Sequence, residues 1–484
     1  MGRWHEKATN VKRSDEASNS ADSHATSENV VVLENDLMRA EISKTTGYLT
    51  KLTNKKKDVQ IPLSPEVAYY QAFQDDGPKS GAYVFRPDSN KTHSVTDMSR
   101  ATTDKLSDVA MVELQTTRSL TVDGDVVSVP RVAFKIGSWV TLEHRMSDGD
   151  EFLEIEWTVG PVPIDDKKGK EVIVRFDTSN SMASDSTLYT DSNGLESMKR
   201  EAVAANYFPM TTGAYIKDDK RQLNVVTDRA QGVASLVDGQ VEAMVHRRLL
   251  ADDNMGVHEN LNETESVYDE TTKTYVTKGM VVRGNFFVNV DSADDGMRSI
   301  RSKMESQFFH PLTAYRKPVS SDVEAKVPWL TVGEFPSNVG LTTLQEQSKE
   351  CVMVRLSHLY AVDEHSSQSK PATVDFSALF SVKNSVVSEV IELVLTGTKE
   401  LSREDKELDT LEWKTTDEAH GWSPRSLPVK GTSVTLQAME VRAFRVCFAK
   451  GASMDGTDAV GVRSPQDDSF GAALQELAEI VAVE

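Results

Sequence analysis

The chain has 484 residues, 38% of them hydrophobic, which is enough to fill more than one packed core. Its 54 basic and 75 acidic residues leave a formal net charge of −21, a surplus that repels phosphate backbones and anionic lipid headgroups. Nucleic acid is thereby excluded as an expected partner, and no apolar run reaches the roughly 20 residues a membrane-spanning helix needs.

Residues 1–28 are rich in Ser, Asp, Glu, Lys and Asn and carry no aliphatic periodicity, the composition of a disordered leader. They contain no apolar segment between a basic start and a cleavage site, so no signal peptide is expected there. Read literally, the chain stays in the cytosol. From Val30 onward short apolar stretches alternate with turn signals. Asp123-Gly124, Asp148-Gly149 and Asp238-Gly239 each separate two strand-like runs, and these residues tolerate the positive φ of hairpin turns. The text therefore predicts antiparallel β-structure. Around 294–304 the period changes: Met297, Ile300 and Met304 fall at helical spacing, which predicts one helix closing the first large β unit.

Residues 316–327, which include Arg316-Lys317-Pro318, read as a linker between a large unit over 29–315 and a smaller β domain over 328–448. A polar tail follows over 449–484, with an Ala/Leu-rich helical stretch from Ala472 to Val483. Trp157 and Trp329 sit in largely apolar surroundings and are expected in cores. Cys351 and Cys447 are equally compatible with a lone disulfide and with two buried thiols, so cysteine leaves the compartment open.

Motifs that carry chemistry are absent from the sequence. There is no Cys-x-x-Cys, His-x-x-x-His or His-x-Asp, no phosphate-binding glycine loop and no Gly-x-Ser-x-Gly elbow. The acidic pairs Asp75-Asp76, Asp165-Asp166, Asp218-Asp219, Asp252-Asp253 and Asp294-Asp295 read as solvated turns rather than acid/base couples. Two N-glycosylation sequons occur, at Asn90 and Asn262, relevant only in the secretory pathway.

Six stretches carry a specific likeness. They begin at Ser80-Gly81-Ala82-Tyr83, Glu156-Trp157-Thr158-Val159, Gly169-Lys170-Glu171-Val172, Leu188-Tyr189-Thr190-Asp191, Leu223-Asn224-Val225-Val226 and Met244-Val245-His246-Arg247-Arg248. In this order they resemble the lysosomal branch of the family 38 α-mannosidases, and Leu436 to Phe444 looks like that family's final strand. The resemblance covers about residues 29–447. It implies an all-β fold, a mutarotase-like β super-sandwich followed by a smaller β-sandwich.

It also implies a function, as the C-terminal β module of an enzyme that hydrolyses terminal α-mannosides of glycans in a lysosome or vacuole. In the family, a zinc ion and a carboxylate nucleophile sit in an N-terminal α/β barrel. No counterpart of that barrel is expected in this chain, so no cofactor and no catalytic residue are assigned here. The expected partners are the catalytic barrel and α-mannoside glycans at the edge of its site. By motif position Tyr83 and one of Arg247 and Arg248 resemble the side chains the β region lends to the sugar pocket; a phenol or guanidinium suits sugar hydroxyls. The chain alone is expected neither to cleave an aryl α-mannoside nor to hold zinc, the fallback ligands being His246, His258 and Asp191. A free-standing carbohydrate-binding or interaction protein is the alternative.

Overall fold

The computed structural model describes residues 29–96, 109–115, 120–122, 125–127, 129–201, 207–310, 330–348, 350–382, 385–401 and 429–450. The expectations for residues 1–28 and 316–327, for Asp123-Gly124, for Trp329 and for the helical stretch from Ala472 lie outside them. The described residues form two units, dividing between His310 and Pro311. Both are almost wholly β, and every named strand pairing is antiparallel.

The larger unit is built on a six-stranded and a nine-stranded sheet. The six-stranded sheet runs Phe208–Met210, Gln231–Ala234, Gln240–Arg248, Lys170–Asp177, Ser64–Ala72, Pro87–Ser94, so that Pro87–Ser94 forms one edge. At the centre of the nine-stranded sheet lie Arg221–Thr227, Val282–Ser292, Leu153–Val159 and Val140–Arg145. Period-two alternation decides which side chains enter the space between the sheets. In Leu153–Val159, Leu153, Ile155, Trp157 and Val159 are buried while Glu154, Glu156 and Thr158 turn outward. Trp157 is 1% exposed, in the core as its sequence context predicts. Across the gap Phe176 meets Phe286 edge to face at 5.3 Å. Leu33, Ala40, Ile42, Leu49, Leu52 and Ile61, from a four-stranded sheet spanning Val30–Pro62, join the same core. Gly47 is tucked against Phe134 at a φ of +72°, and a Cβ there would lie 2.7 Å from the Phe134 Cβ, so only glycine fits.

Gly149 and Gly239 both have positive φ, as the Asp-Gly turns require. The helix expected near 294–304 spans Gly296–Phe308, and Met297, Ile300 and Met304 bury against Phe152, Tyr215, Val226 and Phe287 on the nine-stranded sheet. The Lys303 ammonium stands 3.9 Å from the Phe287 ring centroid.

The smaller unit has a six-stranded sheet in the order Leu330–Val332, Phe380–Val382, Ser385–Leu393, Val441–Lys450, Cys351–His358, Val339–Ser348. Ala372–Asp375 and Ser433–Leu436 make a separate pair, and Phe376, Phe380, Phe444 and Val446 are central to the core. Leu436 to Phe444 is not one strand: a turn over Gln437–Glu440, with Met439 at a φ of +61°, separates Ser433–Leu436 from Val441–Lys450. Met439 and Glu440 continue the apolar and polar text without a break, so the turn carried no composition signal. Cys351 and Cys447 lie opposite one another in the ladder, their Cα atoms 4.1 Å apart, and are joined as a disulfide. The choice the sequence left open is thereby settled.

Candidate functional site: the Tyr83 loop

One face of the six-stranded sheet fills the core, and the other carries a loop. Val172, Val174 and Phe176 point into the core, whereas Ile173 packs on the opposite face with Ala68, Tyr70, Met244 and Phe85. The loop crosses from Ala72 to Pro87, with Tyr83 at its exposed part and Phe85 as its anchor. The Phe85 ring lies 5.7 Å from Tyr70 and 5.0 Å from Tyr207.

Its backbone is held by charge. Asp253 Oδ2 accepts the N–H of Tyr83 at 2.7 Å and of Val84 at 3.1 Å, while Oδ1 accepts that of Met255 at 3.0 Å. The carbonyls of Gly81 and Val84 accept from Arg247 Nη2 at 2.8 and 3.1 Å. Arg247 is locked in turn by Glu171, which is 1% exposed and takes Nε at 2.6 Å and Nη2 at 2.8 Å. Ser80 Oγ donates to the same carboxylate at 2.6 Å. Burial pushes the Asp253 carboxyl up, but the N–H groups of Tyr83, Met255 and Val84 and the Arg247 charge outweigh it, holding its pKa below the usual range. Gly81 is required here, because a Cβ would fall 2.6 Å from Asp253.

The result is a rigid backbone presenting a free phenol. Tyr83 is 65% exposed and its hydroxyl has no hydrogen-bond partner among the described residues. Of the two adjacent arginines, Arg247 reaches this loop. Arg248 instead donates to the Val162 carbonyl at 2.7 Å and to Asn262 Oδ1 at 2.7 Å, with Gly279 packed against its guanidinium. Glu171, Asp253 and Ser80 are the residues the sequence reading missed. Glu171 and Ser80 lay inside quoted stretches, but Asp253 was read as one of a solvated pair; it is 2% exposed, buried by the loop it tethers.

Beside the loop, buried Glu242 accepts from Tyr70 at 2.9 Å, from Tyr207 at 2.6 Å and from Arg175 at 3.0 and 2.8 Å. Burial and the Glu242 charge push the Tyr70 phenol up to about 12 and Tyr207 in the same direction. Both stay protonated, so this cluster is a hydrogen-bonded brace with no proton to exchange near neutrality.

Among the described residues no three of His, Cys, Asp or Glu come together as a metal site. Asp191 accepts from the N–H groups of Thr212, Gly213 and Gly194, burial lowers the His246 pKa, and His258 lies on the surface 3.9 Å from Asp252. His246, His258 and Asp191 are therefore not brought together as one ligand set among the described residues. Both carboxylates bound to the Tyr83 loop are likewise occupied by Arg247, Ser80 and backbone N–H groups. What the loop offers a ligand is hydrogen bonding.

Residues 33–255, which include Tyr83, Glu171, Arg247, Arg248 and Asp253, match the family described as Glycosyl hydrolases family 38 C-terminal domain. This segment is a family 38 C-terminal domain. The chain is 34% identical to the lysosomal alpha-mannosidase of Mus musculus over 441 residues, covering 86% of this chain and 40% of that protein. To the alpha-mannosidase of Canavalia ensiformis it is 31% identical, covering 85% of this chain and 41% of that protein. An alpha-mannosidase structure from Enterococcus faecalis V583 superposes with a TM-score of 0.52 at 13% identity, over 86% of this chain and 42% of that one, a likeness of fold. The chain thus spans about two fifths of the length of the curated relatives it matches.

Proposed function

We propose that this family 38 module completes the sugar-binding pocket of an α-mannosidase whose zinc and nucleophile reside in a catalytic α/β barrel. In this reading Tyr83 hydrogen-bonds a hydroxyl of a terminal α-mannoside at the pocket rim. Arg247 acts as a positioning residue through the loop carbonyls, and Arg248 takes no part in sugar contact. The observation that carries it is a solvent-facing phenol on a backbone fixed from beneath by Asp253, Arg247 and Glu171. Tight fixation of an otherwise exposed loop is what a site needing defined geometry requires. The lysosomal relatives favour a lysosomal or vacuolar location.

Y83F in the enzyme assembled with a catalytic barrel should raise KM for an aryl α-mannoside severalfold or lower kcat/KM by about tenfold, the worth of one hydrogen bond to a sugar hydroxyl. R248A read by the same assay should leave both parameters near wild type. Unchanged kcat/KM in Y83F would remove Tyr83 from the pocket. The chain without a barrel should fold, show no turnover and purify without stoichiometric zinc.

A further inference from the structure

We infer that Asn90 carries an N-linked oligosaccharide and that Asn262, the other sequon, does not. The two acceptors stand in different surroundings. Between the ladder pairs Tyr70 with Thr92 and Ala72 with Pro87, residues 88–91 oppose Gln71 alone, so the edge strand Pro87–Ser94 bulges outward. Asn90 is exposed within that bulge, and its side-chain amide has no hydrogen-bond partner among the described residues. Asn262 is half-buried with Oδ1 held by Arg248 Nε at 2.7 Å, and Arg248 is itself fixed to the Val162 carbonyl and crowded by Gly279. A glycan on Asn262 would have to leave through that packed corner, whereas one on Asn90 extends straight into solvent.

The disulfide supplies the independent pointer to the route. A cross-strand cystine between Cys351 and Cys447 belongs to an oxidising compartment, the same compartment in which sequons are used. The chemistry balances with a polyprenyl diphosphate-linked oligosaccharide as donor. Asn90 Nδ2 attacks the anomeric carbon of its first sugar, the C–O bond to diphosphate breaks with its electron pair leaving on the polyprenyl diphosphate, and Nδ2 gives up one proton. After folding the Thr92 hydroxyl accepts from Arg175 Nη1 at 3.1 Å, so the acceptor strand is anchored while Asn90 stays outside. The glycan would stand beside the strand that ends the six-stranded sheet among the described residues, a position where an edge otherwise invites pairing with another chain.

The full chain, led into the secretory pathway of a eukaryotic host, should lose one oligosaccharide's mass on treatment with peptide N-glycosidase. Peptide mapping in ¹⁸O water should then mark Asn90. N90Q should lack the mass difference and N262Q should keep it. An unmodified Asn90 peptide in folded wild-type protein, or a glycan found on Asn262, overturns the inference; mapping on wild-type protein makes either result independent of how a variant folds.

Discussion

Replacing both cysteines with serine, C351S/C447S, removes the cross-link between two strands that remain paired through the rest of their ladder. The two residues are separated by 96 positions. Chain-entropy loss for a loop of about 100 residues is worth about 4.7 kcal/mol, and measured values for native disulfides run at roughly 2 to 5. Because Cys351 and Cys447 sit directly opposite in an antiparallel register, the native ladder survives reduction and the cost falls on the unfolded state. The smaller unit should therefore lose about 3 to 4 kcal/mol in urea unfolding while the slope against denaturant rises, since a reduced unfolded chain exposes more surface. The larger unit should be unaffected, giving two transitions of which one moves. Reduced wild-type protein should coincide with the variant. A midpoint for the smaller unit that does not move, or two thiols that titrate in the untreated native protein, would refute the reasoning.

Four further outcomes are expected. His144 is fully buried with Nε2 on the Gly47 carbonyl at 3.0 Å, and burial lowers its pKa from 6.5 to about 4. The unfolded chain then binds the proton first as pH falls, so stability is full above about 6.5, declines between about 6.5 and 4 and levels off below; at about 1.4 kcal/mol per pH unit the total is about 3 kcal/mol. H144Q should flatten this slope in melts across that window. E171A leaves the Arg247 guanidinium and Ser80 without their shared carboxylate and should destabilise the larger unit by about 3 kcal/mol, with faster hydrogen exchange over residues 80–85. Y83A, by contrast, should change the unfolding free energy by less than about 0.5 kcal/mol, because the side chain is 65% exposed and its hydroxyl has no hydrogen-bond partner among the described residues. W157A should cost about 4 kcal/mol by opening a cavity next to Phe286, measured as a drop in the urea midpoint of the larger unit.

Much of this architecture was legible because burial writes itself into the sequence with period two or 3.6. Leu153, Ile155, Trp157 and Val159 announce a half-buried strand, and Met297, Ile300 and Met304 announce one helix face. The turn at Gln437–Glu440 was not legible, since it is made by Met439 in the left-handed region rather than by glycine or proline. The site divided in the same way. Tyr83 and the arginine pair were singled out through resemblance, but alternation alone could not say which arginine reaches the loop; a bulge in the Gln240–Arg248 strand and the position of Glu171 decide that. Asp253 was hidden for a general reason. Adjacent aspartates look alike in text, and only the chain folded over one of them, 170 positions earlier in the case of Tyr83, distinguishes tether from solvated turn.

The manner in which the Tyr83 loop is held has a bearing on how freely its tip can vary. Asp253 and Arg247 grip main-chain N–H and C=O groups, which every residue at position 83 except proline would present alike. The loop therefore behaves as a socket whose shape is set by the scaffold and whose plug is interchangeable. The side chain at position 83 can change by single substitutions at almost no folding cost, while Gly81, Glu171 and Asp253 are not free to follow.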